Sequence, residues 1–437
     1  MRKPGTISIS YNVIFIELLI LILPFLTPKI QVFDTAVSRI FILVTLLLTL
    51  LYVLQNQIII NGHLLPVWIY FIIASGIMLY HGDFKHILFI VVDQVGMLFL
   101  GYYYASNNKD VYRLFKLLVF PAAILGGVGI FESVFDINIF DVIFGFETIR
   151  YAANGYRLGL ARAYASFSTS INFCLYLGMI QILSLYAAYN EKNKNNRITY
   201  AICFIILTMA MLFTFSRGAL LATILFDAVM MRKQGAFKRT STYAMILFWI
   251  GVFFALLLIN NVSVADAFYI LEAIFGVIID QSRFGNLAKK YGYGSKHQSI
   301  MLIGWVLAKI RSKPFFGVGM KKIFSVNVNQ FVKKTSIENE YLYVLYTTGW
   351  IGLINRLSYY YMLIRGVRKN VNSQIITYSY VVLMVFLQYL LSLTTVSAQD
   401  ESRLLFFIVG TGLAYSMASR AEENNVYEKD RINGTGI

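Results

Sequence analysis

The sequence predicts an all-α, polytopic integral membrane protein with about 12 transmembrane helices. Of the 437 residues, 58% are hydrophobic and only 14% are charged, whereas soluble globular proteins carry about 25% charged residues. Apolar runs that approach the roughly 20 residues of a membrane span recur along the whole chain. We therefore expect one transmembrane domain over residues 1–437, without a separate soluble domain.

The apolar runs define twelve candidate spans. The first follows Arg2 and Lys3 and is too long for the core of a cleavable signal peptide, so we interpret it as a signal anchor. The seventh and eighth are short and nearly contiguous, which predicts a tight hairpin between them. The candidate spans are residues 7–26, 39–55, 65–80, 87–105, 113–131, 164–187, 199–215, 218–231, 241–260, 341–364, 375–396 and 403–419.

The distribution of Lys and Arg orients these spans. With the N-terminus inside, the short inner segments hold eighteen Lys and Arg and the short outer segments hold five, as the positive-inside rule requires. Both termini are therefore predicted to be cytoplasmic. Two longer outer loops remain, at residues 132–163 and 261–337. The net charge of +16 is divided between two membrane faces, so we expect no nucleic-acid partner.

The second outer loop is unusually basic. From Arg283 to Lys334 it contains eleven Lys or Arg and no Asp or Glu. Such a surface attracts phosphate-rich ligands, and Arg binds phosphate through two parallel hydrogen bonds. A simpler alternative is that the lysines rest on anionic lipid headgroups. Within the loop, the apolar stretch at residues 299–308 is followed by basic residues, which predicts an amphipathic helix at the membrane interface.

Three further groups of charged residues are candidates for a site. Arg217, in Ser216-Arg217-Gly218, lies at the predicted hairpin tip, where it is either functional or a snorkelling side chain. Arg162 directly precedes the sixth span, either as part of a site or as a helix-end anchor. The Glu338-Asn339-Glu340 segment opens the tenth span. Its carboxylates either cap the helix or supply a general base.

Charged residues within the predicted spans point to another class of function. Asp93, Asp227 and Arg356 lie there, and intramembrane charges either pair with one another or line a transport pathway. No His, Cys or Asp cluster has the spacing of a metal site, and no nucleotide-binding glycine loop is present. We therefore expect no metal and no cofactor.

Four short motifs, taken in order, resemble the bacterial O-antigen ligase and polymerase superfamily. The resemblance spans about residues 162 to 355, and Arg162 is similar to the family's arginine before a small-residue run. Arg283, followed by Gly294, also matches the Arg-x10-Gly pattern of the family's polymerases. The four motifs are Ser216-Arg217-Gly218-Ala219, Pro314-Phe-Phe-Gly317-Val-Gly319, Glu338-Asn339-Glu340-Tyr341-Leu342 and Thr348-Gly349-Trp350-Ile351-Gly352-Leu353.

The resemblance implies a multi-pass glycosyltransferase of the inner (cytoplasmic) membrane. Such an enzyme moves a glycan from an undecaprenyl-pyrophosphate carrier to an acceptor at the outer membrane face. The residues expected to bind pyrophosphate are Arg162, Arg217 and Arg283. The expected catalytic residues are Glu338, Asn339 and Glu340, and further candidate contacts to glycan or phosphate are Arg157, Lys296, His297 and Arg311.

One departure from the family pattern separates two activities. The ligase branch carries a His-Asn pair where this chain has Glu338-Asn339. The resemblance therefore favours a repeat-unit polymerase for O-antigen, capsule or exopolysaccharide over a ligase that transfers glycan to a lipid or protein acceptor. A polysaccharide transporter or flippase is the third alternative. Besides membrane lipids, the expected partners are a chain-length regulator and a flippase of the same pathway.

Overall fold

The computed structural model is mostly helical. It describes residues 11–26, 28–32, 35–55, 65–108, 110–146, 156–157, 160–235, 296–321, 324–327, 333–334, 337, 339–368, 378–395 and 402–416, and only the backbone at 157, 296–301, 326–327 and 333–334. The helices are α1 Tyr11–Ile22, α2 Val37–Gln55, α3 Leu65–Tyr80, α4 Phe84–Asn107, α5 Val111–Phe135, α6 Ile139–Phe144, α7 Ser170–Asn190, α8 Lys194–Phe213, α9 Arg217–Lys233, α10 Lys296–Ile310, α11 Glu340–Arg368, α12 Tyr378–Ser392 and α13 Ser402–Ser416. The antiparallel strand pairs are β1 Gln31–Val32 with β2 Thr35–Ala36, β3 Tyr156–Arg157 with β4 Leu160–Ala161, and β5 Val326–Asn327 with β6 Lys333–Lys334.

The described helices are those of a multi-pass membrane protein. Five of them, α2, α4, α5, α7 and α8, are long and apolar enough to cross a membrane, and α1, α3, α12 and α13 are shorter apolar helices. Eleven of the twelve predicted apolar segments coincide with a described helix. The ninth, at residues 241–260, lies outside the described residues.

The chain divides into two compact units. Unit 1 comprises Met1–Leu118, Asn355–Phe386 and Asp400–Ile437, and unit 2 comprises Val119–Ile354 and Leu387–Gln399. Within unit 1, glycines bring α4 and α13 together. A Cβ on Gly101 would lie 2.0 Å from the carbonyl oxygen of Phe407, and one on Gly410 would lie 2.1 Å from that of Leu98. Such small residues let membrane helices pack backbone against backbone.

In unit 2, α7 packs against both α8 and α9. Ser184 Oγ donates to the Tyr200 carbonyl at 2.8 Å and so joins α7 to α8. Gly178 of α7 provides the close approach to α9, because a Cβ there would lie 2.4 Å from Thr223 Oγ1. This packing holds the two helices of the predicted hairpin, α8 and α9, against one buried helix.

Helix α10 covers residues 299–308, where the sequence predicts a helix. Leu302, Val306 and Ile310, four residues apart, are buried in a hydrophobic cluster that includes the start of α11. Ile303 and Leu307 on an adjacent side of the helix are 48% and 43% exposed. One apolar face is therefore satisfied within unit 2, and a second apolar strip remains at the surface.

Candidate functional site

The Ser216-Arg217-Gly218 motif joins a buried turn to the start of α9. Three residues connect α8 to α9, and Phe215 adopts a left-handed φ of +51°. The Ser216 N–H donates to Thr214 Oγ1 at 3.2 Å, and all three connecting residues are buried. The predicted short hairpin thus has a tip enclosed by protein. Half-buried Arg217 begins α9, whose N-terminus attracts anions through the helix dipole.

Arg162 lies at the C-terminal end of α8. Its Nε donates to the Thr214 carbonyl at 2.9 Å, and the carbonyls at a helix C-terminus attract cations. The sequence instead placed Arg162 directly before a span that starts at residue 164. That start is wrong, because α7 begins at Ser170. Arg162 is buried beside the turn that carries Arg217.

A buried carboxylate holds the segment after Arg162 in a non-helical conformation. Glu132 Oε2 accepts the backbone N–H groups of Tyr164 and Ala165 at 3.1 and 2.7 Å. Asn138 Nδ2 donates to the Ala165 carbonyl at 3.0 Å, and Ala165 has a φ of +47°. The positive φ of Ala165 is incompatible with an α-helix, and the bond from Asn138 occupies a carbonyl that a helix starting at residue 164 would pair within itself, which explains the late start of α7. The apolar pattern around residue 164 contains no signal for a carboxylate thirty residues upstream.

Asn339 links the start of α11 to the turn that follows α12. Its Oδ1 accepts the Leu342 N–H at 3.0 Å, as an N-cap does, and its Nδ2 donates to the Thr394 carbonyl at 2.7 Å. The backbone N–H of Glu340 donates to the Leu393 carbonyl at 3.0 Å, and the Glu340 side chain is buried. The Asn339 side chain therefore has a positioning role, whereas Glu340 brings a carboxylate to the first turn of α11.

The turn at residues 393–395 joins two of the predicted motifs. Gly218 contacts it directly, since a Cβ on Gly218 would lie 2.0 Å from Thr395 Oγ1. Asn339 binds the carbonyl of the preceding residue, Thr394. The hairpin that carries Arg217 and the acidic start of α11 consequently meet on one short turn. No sequence pattern identifies this turn, because nothing in its composition distinguishes it from an ordinary helix end.

The other two motifs interlock at a break in α11. Gly349 has φ +68° and ψ −168°, a conformation that only glycine adopts readily. A Cβ on Gly317 would lie 2.6 Å from the Gly349 nitrogen, so both glycines are required by the close approach. Four backbone hydrogen bonds join the loop to the break: Val318 N–H to Tyr346 O, Gly319 N–H to Thr347 O, Trp350 N–H to Pro314 O and Ile351 N–H to Phe315 O. The loop therefore satisfies backbone groups that the break releases, as a membrane helix requires.

The structure describes the other residues that the sequence predicts for the site only in part. Arg283 and Glu338 lie outside the described residues. Only the backbone is described at Arg157, Lys296 and His297. Arg311 is exposed in the turn after α10. The structure thus brings together, within unit 2, Arg162, Arg217, Asn339 and Glu340 from three separate parts of the sequence.

Asp93, one of the intramembrane charges, lies between two arginines in unit 1. Its Oδ2 is 2.8 Å from Arg39 Nε and its Oδ1 is 2.9 Å from Arg403 Nε. Arg403 also donates to Ser38 Oγ at 2.6 Å, and Arg39 lies 3.6 Å above the Phe89 ring centroid. Asp93 belongs to a π-helical part of α4, which directs the carboxylate into this buried ion cluster. Asp93 is therefore ion-paired, which is one of the two alternatives that the sequence leaves open, with partners that the sequence does not identify.

The other two intramembrane charges also have local partners. Arg356 Nη1 donates to Tyr70 Oη at 2.5 Å and to Gln94 Oε1 at 3.1 Å in unit 1. Asp227 Oδ2 accepts from Gln181 Nε2 at 2.6 Å in unit 2. Each of these contacts is suited to holding a fold together in a medium of low dielectric constant.

Comparison with known proteins does not assign the chain to a family. No protein-family model matches it, and no curated protein matches it significantly. The arrangement of Arg162, Arg217 and Glu340 in unit 2 is therefore the basis on which we infer a function.

Proposed function

We propose that the protein is a polymerase of undecaprenyl-pyrophosphate-linked oligosaccharide repeat units at the outer face of the cytoplasmic membrane. Its product is an O-antigen, capsule or exopolysaccharide chain, and both of its termini are cytoplasmic. One observation supports this proposal above all. The Arg217 hairpin and the acidic start of α11 meet at the turn of residues 393–395. A cation and a carboxylate on two segments that meet at one turn suit a reaction with an anionic leaving group and a hydroxyl nucleophile.

Arg217 and the first turn of α9 form the proposed pyrophosphate site. A helix N-terminus stabilises phosphate groups, and an Arg side chain adds two parallel hydrogen bonds. As the bond between the anomeric carbon and the carrier oxygen breaks, negative charge accumulates on the departing undecaprenyl pyrophosphate. Fixed cations that already point at this group lower the barrier. In this proposal Arg283 from the basic outer loop supplies a second cation.

Arg162 supports this site from the end of α8. The Nε–H of Arg162 donates to the Thr214 carbonyl. This bond fixes the guanidinium beside the turn that precedes Arg217. The buried positive charge of Arg162 adds to the field of the α9 N-terminus. We therefore assign to Arg162 both the positioning of the hairpin and a share of the electrostatic attraction for pyrophosphate.

The acceptor is the non-reducing sugar hydroxyl of a second lipid-linked unit. Its oxygen attacks the anomeric carbon of the donor glycan, which inverts, and its proton passes to a carboxylate. Glu338 and Glu340 are the candidates for this general base. Asn339 lies between them in sequence and binds the 393–395 turn, so it fixes the start of α11 and is not itself a base. Glu338→Gln and Glu340→Gln, compared in one assay, identify which carboxylate is needed.

The test is the surface glycan of a strain that lacks the protein. Complementation with the wild-type chain restores a ladder of long polymer, whereas Arg217→Ala leaves single repeat units. Arg217→Lys restores little, because lysine keeps the charge but loses the bidentate geometry. Arg197→Ala is the matched control, since Arg197 is exposed near the opposite end of α8 and its loss leaves the ladder intact.

The glycan that accumulates in the deletion strain separates the alternatives. Single repeat units on the outer face support a polymerase. Full-length polymer still attached to its carrier supports a ligase, and repeat units retained on the inner face support a flippase. A normal ladder with folded Arg217→Ala protein contradicts the assignment of the site.

A further inference from the structure

Within unit 2, three helices contribute to a row of buried polar side chains that the proposed reaction does not use. The row comprises Gln181 of α7, Thr223 and Asp227 of α9, and Gln388 and Ser392 of α12. Gln388 Nε2 donates to Thr223 Oγ1 at 2.9 Å and approaches Ser392 Oγ at 3.4 Å. Buried polar groups in a membrane protein normally find partners. Gln388 Oε1 and two acceptors of the pair formed by Asp227 and Gln181 depart from this expectation.

Asp227 and Gln181 are each bonded on one side only. Gln181 Nε2 donates to Asp227 Oδ2 at 2.6 Å, and the two residues are 6% and 3% exposed. Among the described residues, none donates a hydrogen bond to Asp227 Oδ1 or to Gln181 Oε1. Two acceptor atoms, one on each partner of the same hydrogen-bonded pair, therefore lack a hydrogen.

Among the described helices, the two that bond to α9 in this row, α7 and α12, provide no compensating charge. Neither α7 nor α12 contains an Asp, Glu, Lys, Arg or His, and the Cys174 and tyrosine side chains of these helices are uncharged near neutral pH. The cations of α9 lie at its ends, with Arg217 ten residues before Asp227 and Arg232 five residues after it. An isolated carboxylate charge is very costly to bury, and the neutral acid avoids this cost.

We propose that Asp227 is a proton-binding site and that the neutral acid forms a cyclic pair with Gln181. Asp227 Oδ1–H donates to Gln181 Oε1, while Gln181 Nε2 donates to Asp227 Oδ2. One proton thereby satisfies both acceptors that lack a hydrogen and joins α7 to α9 without a buried net charge. The site takes up one proton as the protein folds and keeps it. Asp227 is then neither the general base of the transfer nor an exchanging group of a proton-driven transporter.

Infrared spectroscopy of the purified protein tests this proposal. At pH 7 and pH 9 the wild-type spectrum should contain the carbonyl stretch of a protonated carboxylic acid. This band should shift when aspartate is labelled with ¹³C at its side-chain carboxyl, and Asp227→Asn should remove it. Asp110→Asn is the matched control, because Asp110 is exposed and its replacement should leave the band unchanged.

Three results would overturn the proposal. The first is a wild-type spectrum without the protonated band at pH 7. The second is a band that aspartate labelling does not shift, a measurement on the wild-type protein that remains decisive if Asp227→Asn does not fold. The third is a rise in thermal stability when Na⁺ replaces choline in the buffer, if Asp227→Asn abolishes this rise. Such a result would show that a metal cation occupies the position assigned to the proton.

Discussion

Replacing Asn339 separates a positioning role from a catalytic one. Asn339→Ala removes both the cap on Leu342 and the bond to the Thr394 carbonyl. A helix cap contributes about 1 kcal/mol, and a hydrogen bond of this kind contributes about 1 kcal/mol. The expected loss of folding free energy is therefore about 2 kcal/mol. At roughly 2–4 °C per kcal/mol, the melting temperature should fall by roughly 4–8 °C.

Asn339→Asp is the matched variant for this measurement. Its carboxylate still accepts the Leu342 N–H, at a helix N-terminus that favours negative charge, but it cannot donate to the Thr394 carbonyl. The expected loss is about 1 kcal/mol, half that of Asn339→Ala. Thermal unfolding of the detergent-purified variants gives the stabilities, and glycan ladders from complemented cells give the activities. Wild-type stability in Asn339→Ala, combined with complete loss of polymer, would refute the positioning role.

Three further substitutions test the packing around the site and in unit 1. Gly218→Ala places a methyl group 2.0 Å from Thr395 Oγ1 and should lower the folding free energy by about 1–3 kcal/mol. Adding Thr395→Gly to the same chain should recover part of the lost melting temperature. Strictly additive effects of the two substitutions on stability would contradict the contact. Gly349→Ala should sharply reduce the yield of folded protein in size-exclusion chromatography, because the break in α11 requires a positive φ and close backbone approach. Its control, Gly127→Ala, has no atom within 4 Å of the added Cβ and should retain or slightly raise the melting temperature. Asp93→Asn leaves the buried Arg403 and the partly buried Arg39 without their carboxylate and should cost about 3–5 kcal/mol, and an unchanged melting temperature would show that the ion cluster does not stabilise unit 1.

The sequence predicts the helices well because each needs a long apolar run, a feature that is local in the chain. The two helices around Ser216-Arg217-Gly218 illustrate this, since the spacing of their apolar runs alone predicts a tight hairpin. The start of α7 is missed for the opposite reason. Glu132, from a distant part of the chain, accepts hydrogen bonds from the backbone N–H groups of Tyr164 and Ala165. Apolar periodicity contains no information about such a contact.

The candidate site shows the same division between local and distant information. Arg162, Arg217 and Glu340 are recognisable because charged residues are rare in an apolar chain. Their common location depends on the 393–395 turn, which is more than fifty residues from Asn339 in sequence. The Gly317 and Gly349 motifs were likewise visible as short patterns, whereas their mutual packing depends on backbone hydrogen bonds. Residue types are thus predictable here, and the contacts that join them are not.

The most direct test of the central claim is polymer synthesis by the purified protein in liposomes. The liposomes contain lipid-linked repeat units facing the Arg217 side, with no ion gradient and no nucleotide. The wild-type protein should convert these units into a ladder of carrier-linked chains and release undecaprenyl pyrophosphate, and Arg217→Ala should do neither while Arg197→Ala does both. Folded wild-type protein that makes no polymer, or folded Arg217→Ala protein that makes a normal ladder, would contradict the account.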